Sequence, residues 1–184
     1  MANKANSILY AFVYGTLKRG EPNHHWLTDT TNGSAKFIGT GVMQQKYPLV
    51  IASRYNIPFL VDKEGTGKNV HGELYEIDET MLASLDILEE YPKLYTRRQT
   101  PILLTGDSND SGLVKQAWTY FLSDFRQELL NLPYLDSYLS NGSHNMPYVA
   151  RYVRDMSVDH RPDVKNMTAD MAVDVKNMTA VVSA

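Results

Sequence analysis

The run Ile8-Leu9-Tyr10-Ala11-Phe12-Val13-Tyr14 carries no charge, is rich in aromatic and β-branched side chains, and stops at Gly15. Such a run has a strand's length and falls far short of the ~20 residues of a membrane-spanning helix. Apolar on both faces, it reads as a central strand covered on both sides. It is a poor secretory leader. It holds two tyrosines, and Gly15-Thr16-Leu17-Lys18 stands where a small-residue cleavage site belongs. The chain therefore reads as soluble and cytoplasmic.

The rest is also strand-rich. Ala35–Met43, Leu49–Ala52, Pro58–Val61, Val70–Ile77, Arg97–Thr105 and Val114–Phe121 are strand candidates, the last two joined by the turn-forming stretch Gly106 to Gly112. In Val70–Ile77 the residues Val70, Gly72, Leu74 and Glu76 fall on one side. Helices are few. Pro22-Asn23 opens a short one through Leu27, with Asn23 as N-cap; Asp78 caps another over Glu79–Glu90, with Pro92 beyond its end; a short one covers Phe125–Leu132. Strands and helices do not alternate, which argues against a doubly wound sheet. The expectation is an α+β fold: a small mixed β-barrel of about six or seven strands with two or three flanking helices. The domain spans 1–155. In the tail, 156–184, Asp163-Val-Lys-Asn-Met-Thr-Ala169 recurs as Asp174 to Ala180, with Val and Met at helical spacings that allow either a partner-binding helix or loose chain.

Composition removes several function classes. With 184 residues, 43% of them hydrophobic, the chain can bury a core without staples, and it has no cysteine for a disulfide, thiol nucleophile or iron–sulfur site. A net charge of -3 gives no reason to seek nucleic acid or an anionic membrane. Arg97-Arg98 reads as a solvated strand face. The five histidines include no i, i+4 pair beside carboxylates, so no metal site is expected. Gly65-Thr66-Gly67-Lys68 lacks the phosphate-loop spacing, and no Gly-x-Ser-x-Gly elbow occurs.

Two features remain. Directly after the first strand, Gly15, Thr16 and Leu17 present successive amides that suit a carboxylate or a developing oxyanion, unless this is a plain strand-ending turn. On the helix after Asp78, Met81, Leu82, Leu85 and Leu88 share a face. Glu89 lies about 50° from its centre and Glu90 about 150° away. Glu89 should face inward, where desolvation suits a general acid/base; the competing reading is an edge-of-face carboxylate that snorkels to solvent or pairs with an Arg such as Arg97.

These residues, with Phe12-Val13-Tyr14-Gly15-Thr16-Leu17-Lys18-Arg19-Gly20, Pro22-Asn23-His24, Tyr47-Pro48-Leu49-Val50-Ile51-Ala52, Asn56-Ile57-Pro58, Gly72-Glu73-Leu74-Tyr75, Leu85-Asp86-x-x-Glu89 and Asp136-Ser137-Tyr138, resemble the gamma-glutamylamine cyclotransferase group of the AIG2-like gamma-glutamyl cyclotransferases, including insect members of the troponin C-akin type. The resemblance implies a small mixed barrel with a pocket at the end of its first strand. It implies Tyr14, Gly15, Thr16 and Leu17 as the substrate-binding loop and Glu89 as the catalytic acid/base, with no cofactor and no metal. The implied substrate is a small gamma-glutamyl amine such as gamma-glutamyl-ε-lysine, cleaved by cyclisation to 5-oxoproline and free amine. Tyr47, Tyr95 and Tyr138 are candidates for the pocket wall or, equally, plain core tyrosines. The alternatives are a non-catalytic binding module of the same fold and a cyclotransferase for another gamma-glutamyl amide.

Overall fold

The structure, a computed structural model, describes residues 8–106 and 110–154. The repeat and the tail from 156 lie outside the described residues. Seven strands form: β1 (Leu9–Val13), β2 (Ala35–Tyr47), β3 (Leu49–Ala52), β4 (Ile57–Leu60), β5 (Lys68–Ile77), β6 (Thr96–Thr105) and β7 (Val114–Phe121). Five close a barrel in the order β1-β5-β2-β6-β7. Its pairs are antiparallel except β1 with β7, which run parallel with Ala11 opposite Trp118, so the barrel is mixed. The other two strands form a separate hairpin, with Leu49 opposite Leu60.

Strand pleating sorts the core into two clusters. Phe12, Met43, Val70, Leu74, Ile102, Leu104, Ala117 and Phe121 pack together inside the barrel. Ala11, Val13, Tyr75, Ile77 and Tyr120 face outward and pack against Met81, Leu82, Leu85 and Leu88 of α2 (Glu79–Leu88). On β5 the expected one-sided pattern is incomplete, because the opposite face is buried too. Glu73 sits there, held by the Arg19 amide at 2.9 Å, Arg19 Nε at 3.1 Å and Tyr75 Oη at 2.9 Å.

Three boundaries differ from expectation. β2 runs on past Met43, through register shifts, to pair Tyr47 with Lys68. The helix α1 covers only His25–Thr28, and no side chain caps it; Asn23 spends its amide elsewhere. The segment after Phe125 forms a 3-10 turn at Gln127–Asn131.

Asp78 caps α2 as expected, accepting from the Met81 amide at 2.7 Å. Gly33 (φ +119°) makes room for that cap, since a Cβ there would meet the Met81 nitrogen at 2.3 Å. The helix ends at Leu88, two residues early. Glu90 turns left-handed (φ 51°), the Tyr91 amide bonds Asp86 O at 2.9 Å, and the Glu90 amide bonds Ile87 O at 3.2 Å. This is a Schellman motif with Glu90 in the position that glycine usually holds, and it makes Glu89 the C-cap.

Arg97 and Arg98 are not a solvated pair. Each forks onto one aspartate, Arg97 onto Asp86 and Arg98 onto Asp62.

Candidate active site

The chain leaves β1 at Tyr14 and turns. What demands glycine at position 15 is crowding rather than dihedral angle: a Cβ would sit 3.1 Å from the Pro58 ring. The carbonyls of Gly15, Thr16 and Leu17 are all occupied. Gly15 O accepts from the Lys18 amide at 3.2 Å, Thr16 O from the Asn23 amide at 2.9 Å, and Leu17 O takes a ring nitrogen of His24 at 3.0 Å. A trans peptide points its N–H opposite to its C=O. The amides of Thr16 and Leu17 are thereby turned away from the bend. Among the loop and turn bonds of the described residues, the amides of Gly15, Thr16 and Leu17 donate none. Lys18 fastens the far side of the loop by donating to the Tyr138 carbonyl. Burial pulls its ammonium pKa down, against Glu21 and Glu73, which pull it up.

Gly15, Thr16, Leu17 and Tyr14 line a cavity of about 800 Å³ at the end of β1. Glu89 lines it as well, carried there by the end of α2. The expected inward turn of Glu89 therefore holds, although it caps the helix rather than lying within it. Glu89 is half-buried and Glu90 exposed, as the helical wheel anticipates, yet Glu90 also reaches the rim. Arg97 forks onto Asp86. Its Nε lies 2.6 Å from Asp86 Oδ1, one helical turn earlier. The volume is in the range of small-molecule sites.

Two of the phenols that line the cavity, Tyr14 and Tyr120, feel the charge of Glu89. Tyr14 Oη donates to the Tyr120 carbonyl at 2.9 Å. Burial raises the Tyr14 pKa well above the usual phenol value; the nearby Glu89 charge adds to this, and the Leu60 amide offsets part of it. Tyr120 Oη donates to Asp86 Oδ1 at 2.7 Å. Burial raises its pKa first, then the Asp86 hydrogen bond and charge, then the Glu89 charge. Both are therefore neutral donors near a carboxylate at ordinary pH.

The three candidate wall tyrosines separate. Tyr95 lines the cavity, stacked on Phe59 at 6.2 Å between ring centres. Tyr47 and Tyr138 do not line it. Tyr47 is fully buried, donating to Glu64 Oε2 at 3.0 Å and accepting from Arg98 Nη2 at 3.1 Å. Tyr138 is buried against His144, ring centres 6.0 Å apart, and its contribution to the site is the backbone carbonyl that Lys18 takes. Sequence reasoning missed Tyr120, Tyr148 and Arg154, which also line the cavity. It placed Asn23 at a helix cap, whereas its side-chain amide donates to Thr16 Oγ1 at 2.9 Å and to Tyr148 Oη at 3.0 Å. Among the described residues, no three His, Asp or Glu are grouped to hold a metal ion, and no helix is long and apolar enough to cross a membrane.

Comparison with known proteins gives a consistent result. Residues 11–140 match the family described as gamma-glutamyl cyclotransferase, AIG2-like. The gamma-glutamylaminecyclotransferase of Homo sapiens is 42% identical over 146 residues, 76% of this chain and 95% of that protein. Troponin C-akin-1 protein of Drosophila melanogaster is 44% identical over 154 residues, 83% of this chain and 89% of that protein. The crystal structure of an AIG2-like protein from Mus musculus aligns with a TM-score of 0.75 at 41% identity, covering 80% of this chain and 99% of that one. A barrel whose first strand opens into this loop and cavity, matched over most of its length, makes the chain a member of the AIG2-like gamma-glutamyl cyclotransferase family.

Proposed function

We propose that this protein is a gamma-glutamylamine cyclotransferase, with Glu89 as acid/base and the Tyr14–Leu17 loop as the cradle for the gamma-glutamyl group. One observation carries the reading. Glu89 and a loop whose Thr16 and Leu17 amides are turned away from their own bend line the same cavity.

In this reading Glu89 takes a proton from the substrate's α-ammonium. The freed nitrogen attacks the γ-carbonyl carbon. The new C–N bond closes a five-membered ring as the old amide C–N bond breaks; Glu89 returns the first proton to the departing nitrogen, and the ring nitrogen then gives up its second proton by way of Glu89, so that the amine leaves as an ammonium ion. The loop amides hold the glutamyl head and its developing oxyanion. Because the attack is intramolecular, positioning the head does much of the work, and one carboxylate suffices for the proton traffic. Tyr14 and Tyr120, kept neutral, give up no proton at ordinary pH. The products are 5-oxoproline and free amine, which is lysine when the substrate is gamma-glutamyl-ε-lysine. The residues that carry the chemistry all lie within 1–155. The enzyme works in the cytoplasm, which recovery in the cytosolic rather than the membrane fraction of its own cells would support.

The test mixes the protein with gamma-glutamyl-ε-lysine and follows lysine and 5-oxoproline, with Glu89→Gln in parallel. Equimolar products from the parent are expected, and a loss of about a hundredfold or more in the variant, the usual scale for a missing general base. Glutamate in place of 5-oxoproline would mean hydrolysis and end this mechanism. A folded protein that yields no product would favour another gamma-glutamyl amide, and then a binding module.

A further inference from the structure

The segment 145–154 passes along one wall of the cavity. The Val149 amide donates to Tyr55 O at 3.0 Å, and Asn56 Nδ2 donates to Pro147 O at 2.8 Å. Arg154 stands at the end of this strap and lines the cavity. Its guanidinium is held in place: Nε donates to Val149 O at 2.9 Å, and Cζ lies 5.2 Å from the Tyr55 ring centre and 5.1 Å from that of Tyr148. Among the described residues no carboxylate pairs with it. Arg19, Arg97 and Arg98 each pair with a carboxylate, whereas Arg154 Nη2 is buried and donates to no acceptor among the described residues. A buried N–H without a partner is costly, and the guanidinium fork matches a carboxylate in shape and charge.

We infer that Arg154 recognises a carboxylate on the leaving-amine half of the substrate, an inference that rests on the cyclotransferase reading above. The glutamyl head is assigned elsewhere in the cavity, to Glu89 and the loop amides. Tyr148 and Asn23 stand between the two places: the Tyr148 ring faces Arg154, its hydroxyl accepts from Asn23, and the second Asn23 hydrogen goes to Thr16 Oγ1. A carboxylate at Arg154 therefore belongs to the other half of the molecule. The cavity selects amines that are themselves amino acids over plain alkylamines.

The test compares gamma-glutamyl-ε-lysine with gamma-glutamyl-cadaverine, which differs only by that carboxylate. Arg154→Gln should raise KM for the lysine adduct by about tenfold to a hundredfold, the scale of a lost hydrogen bond to a charged group. KM for the cadaverine adduct should move less than about threefold on the same scale, and Arg154→Lys should restore part of the difference. Equal losses on both adducts, or no loss on either, would overturn the assignment. A second measurement is independent of turnover: titration of the parent and Arg154→Gln with Nε-acetyl-lysine and with N-acetylcadaverine, followed by NMR. Tighter binding of the carboxylate-bearing ligand, abolished in the variant, supports Arg154 even if no adduct is cleaved, in which case only the cyclotransferase reading falls. No preference in the parent overturns the Arg154 assignment even if cleavage is brisk.

Discussion

Arg97 and Arg98 are consecutive on β6, so the strand pleat sends them to opposite faces. Each then does much the same thing. Arg97 forks onto Asp86 at 2.6 and 3.1 Å, with its Cζ over the Trp118 and Tyr91 rings. Arg98 forks onto Asp62 at 2.7 and 2.9 Å, with its Cζ over the Phe121 and Tyr47 rings. The difference lies beyond the aspartates. Asp86 also accepts from Tyr120, which lines the cavity, and sits one turn before Glu89 on the same helix. Asp62 instead accepts from Ser123 Oγ at 2.9 Å, and its amide donates to Leu122 O at 3.0 Å, tying the end of β4 to the end of β7. One cluster braces the site and the other braces the fold. Identical local chemistry acquires its meaning from what the third partner touches.

Removing the two aspartates should separate these roles. Asp86→Ala strands Arg97, whose side chain is only 16% exposed, and frees the Tyr120 hydroxyl, so about 2 kcal/mol of stability should go. The same change should lower kcat on a gamma-glutamyl amine by about tenfold or more, because the group orienting Tyr120 and the end of α2 is lost. Asp62→Ala should cost less, about 1 kcal/mol, since Arg98 is 39% exposed and water replaces part of what is lost. Its kcat should stay within about twofold of the parent on that argument. Urea unfolding together with kcat measured separately from KM decides. A kcat that falls equally in both variants would mean that the Asp86 cluster is only structural.

Much of this was legible beforehand, for identifiable reasons. β1 was readable because an uncharged run closed by glycine has few other uses. The Asp78 cap and the inward Glu89 followed from local rules and 100° steps around a helix. The wall tyrosines were not readable, because Tyr47, Tyr95 and Tyr138 differ in what lies across space from them, and spacing carries no record of that. The arginine pair misled for the same reason: a bidentate partner 11 or 36 residues away leaves no local mark. Asn23 looked like a cap because Pro-Asn is a cap signal, and only the folded loop shows that Thr16 and Tyr148 compete for its amide and win.

The tyrosines give a second, smaller contrast between the clusters. Tyr14 and Tyr120 beside the cavity, and Tyr47 beside Arg98, all have pKa values raised first by burial. Around Tyr47 the Arg98 hydrogen bond and charge pull the value back down, whereas at Tyr14 the Glu89 charge pushes it further up. A phenol whose folded pKa exceeds its unfolded value stabilises fully below about pH 10 and loses that contribution as pH rises toward the folded value. Unfolding free energy should therefore fall above about pH 10, by at most ~1.4 kcal/mol per pH unit for each such phenol. Tyr14→Phe should flatten that slope by nearly one phenol's worth, and Tyr47→Phe by less. Denaturant titrations between about pH 9 and 11 would show it, and a slope unchanged in Tyr14→Phe would mean that this phenol titrates normally.

The smallest effect concerns the helix end that both Asp86 and Glu89 depend on. Glu90 occupies the left-handed position of the Schellman motif at φ 51°, where a Cβ crowds the backbone and glycine does not. Its side chain is exposed and reaches the cavity rim, so a glutamate stands where backbone energetics ask for glycine. Glu90→Gly should therefore stabilise the fold, by about 0.5–1 kcal/mol, because relief of the left-handed strain outweighs the extra freedom glycine gives the unfolded chain. No comparable gain is available in the Asp62 cluster, where neither Asp62 nor Arg98 has a positive φ. A thermal melt that shifts upward would show that the residue after Glu89 carries a backbone cost. A melt that shifts downward would mean that the Glu90 side chain itself holds the end of α2, and the Schellman account of that terminus would have to be replaced.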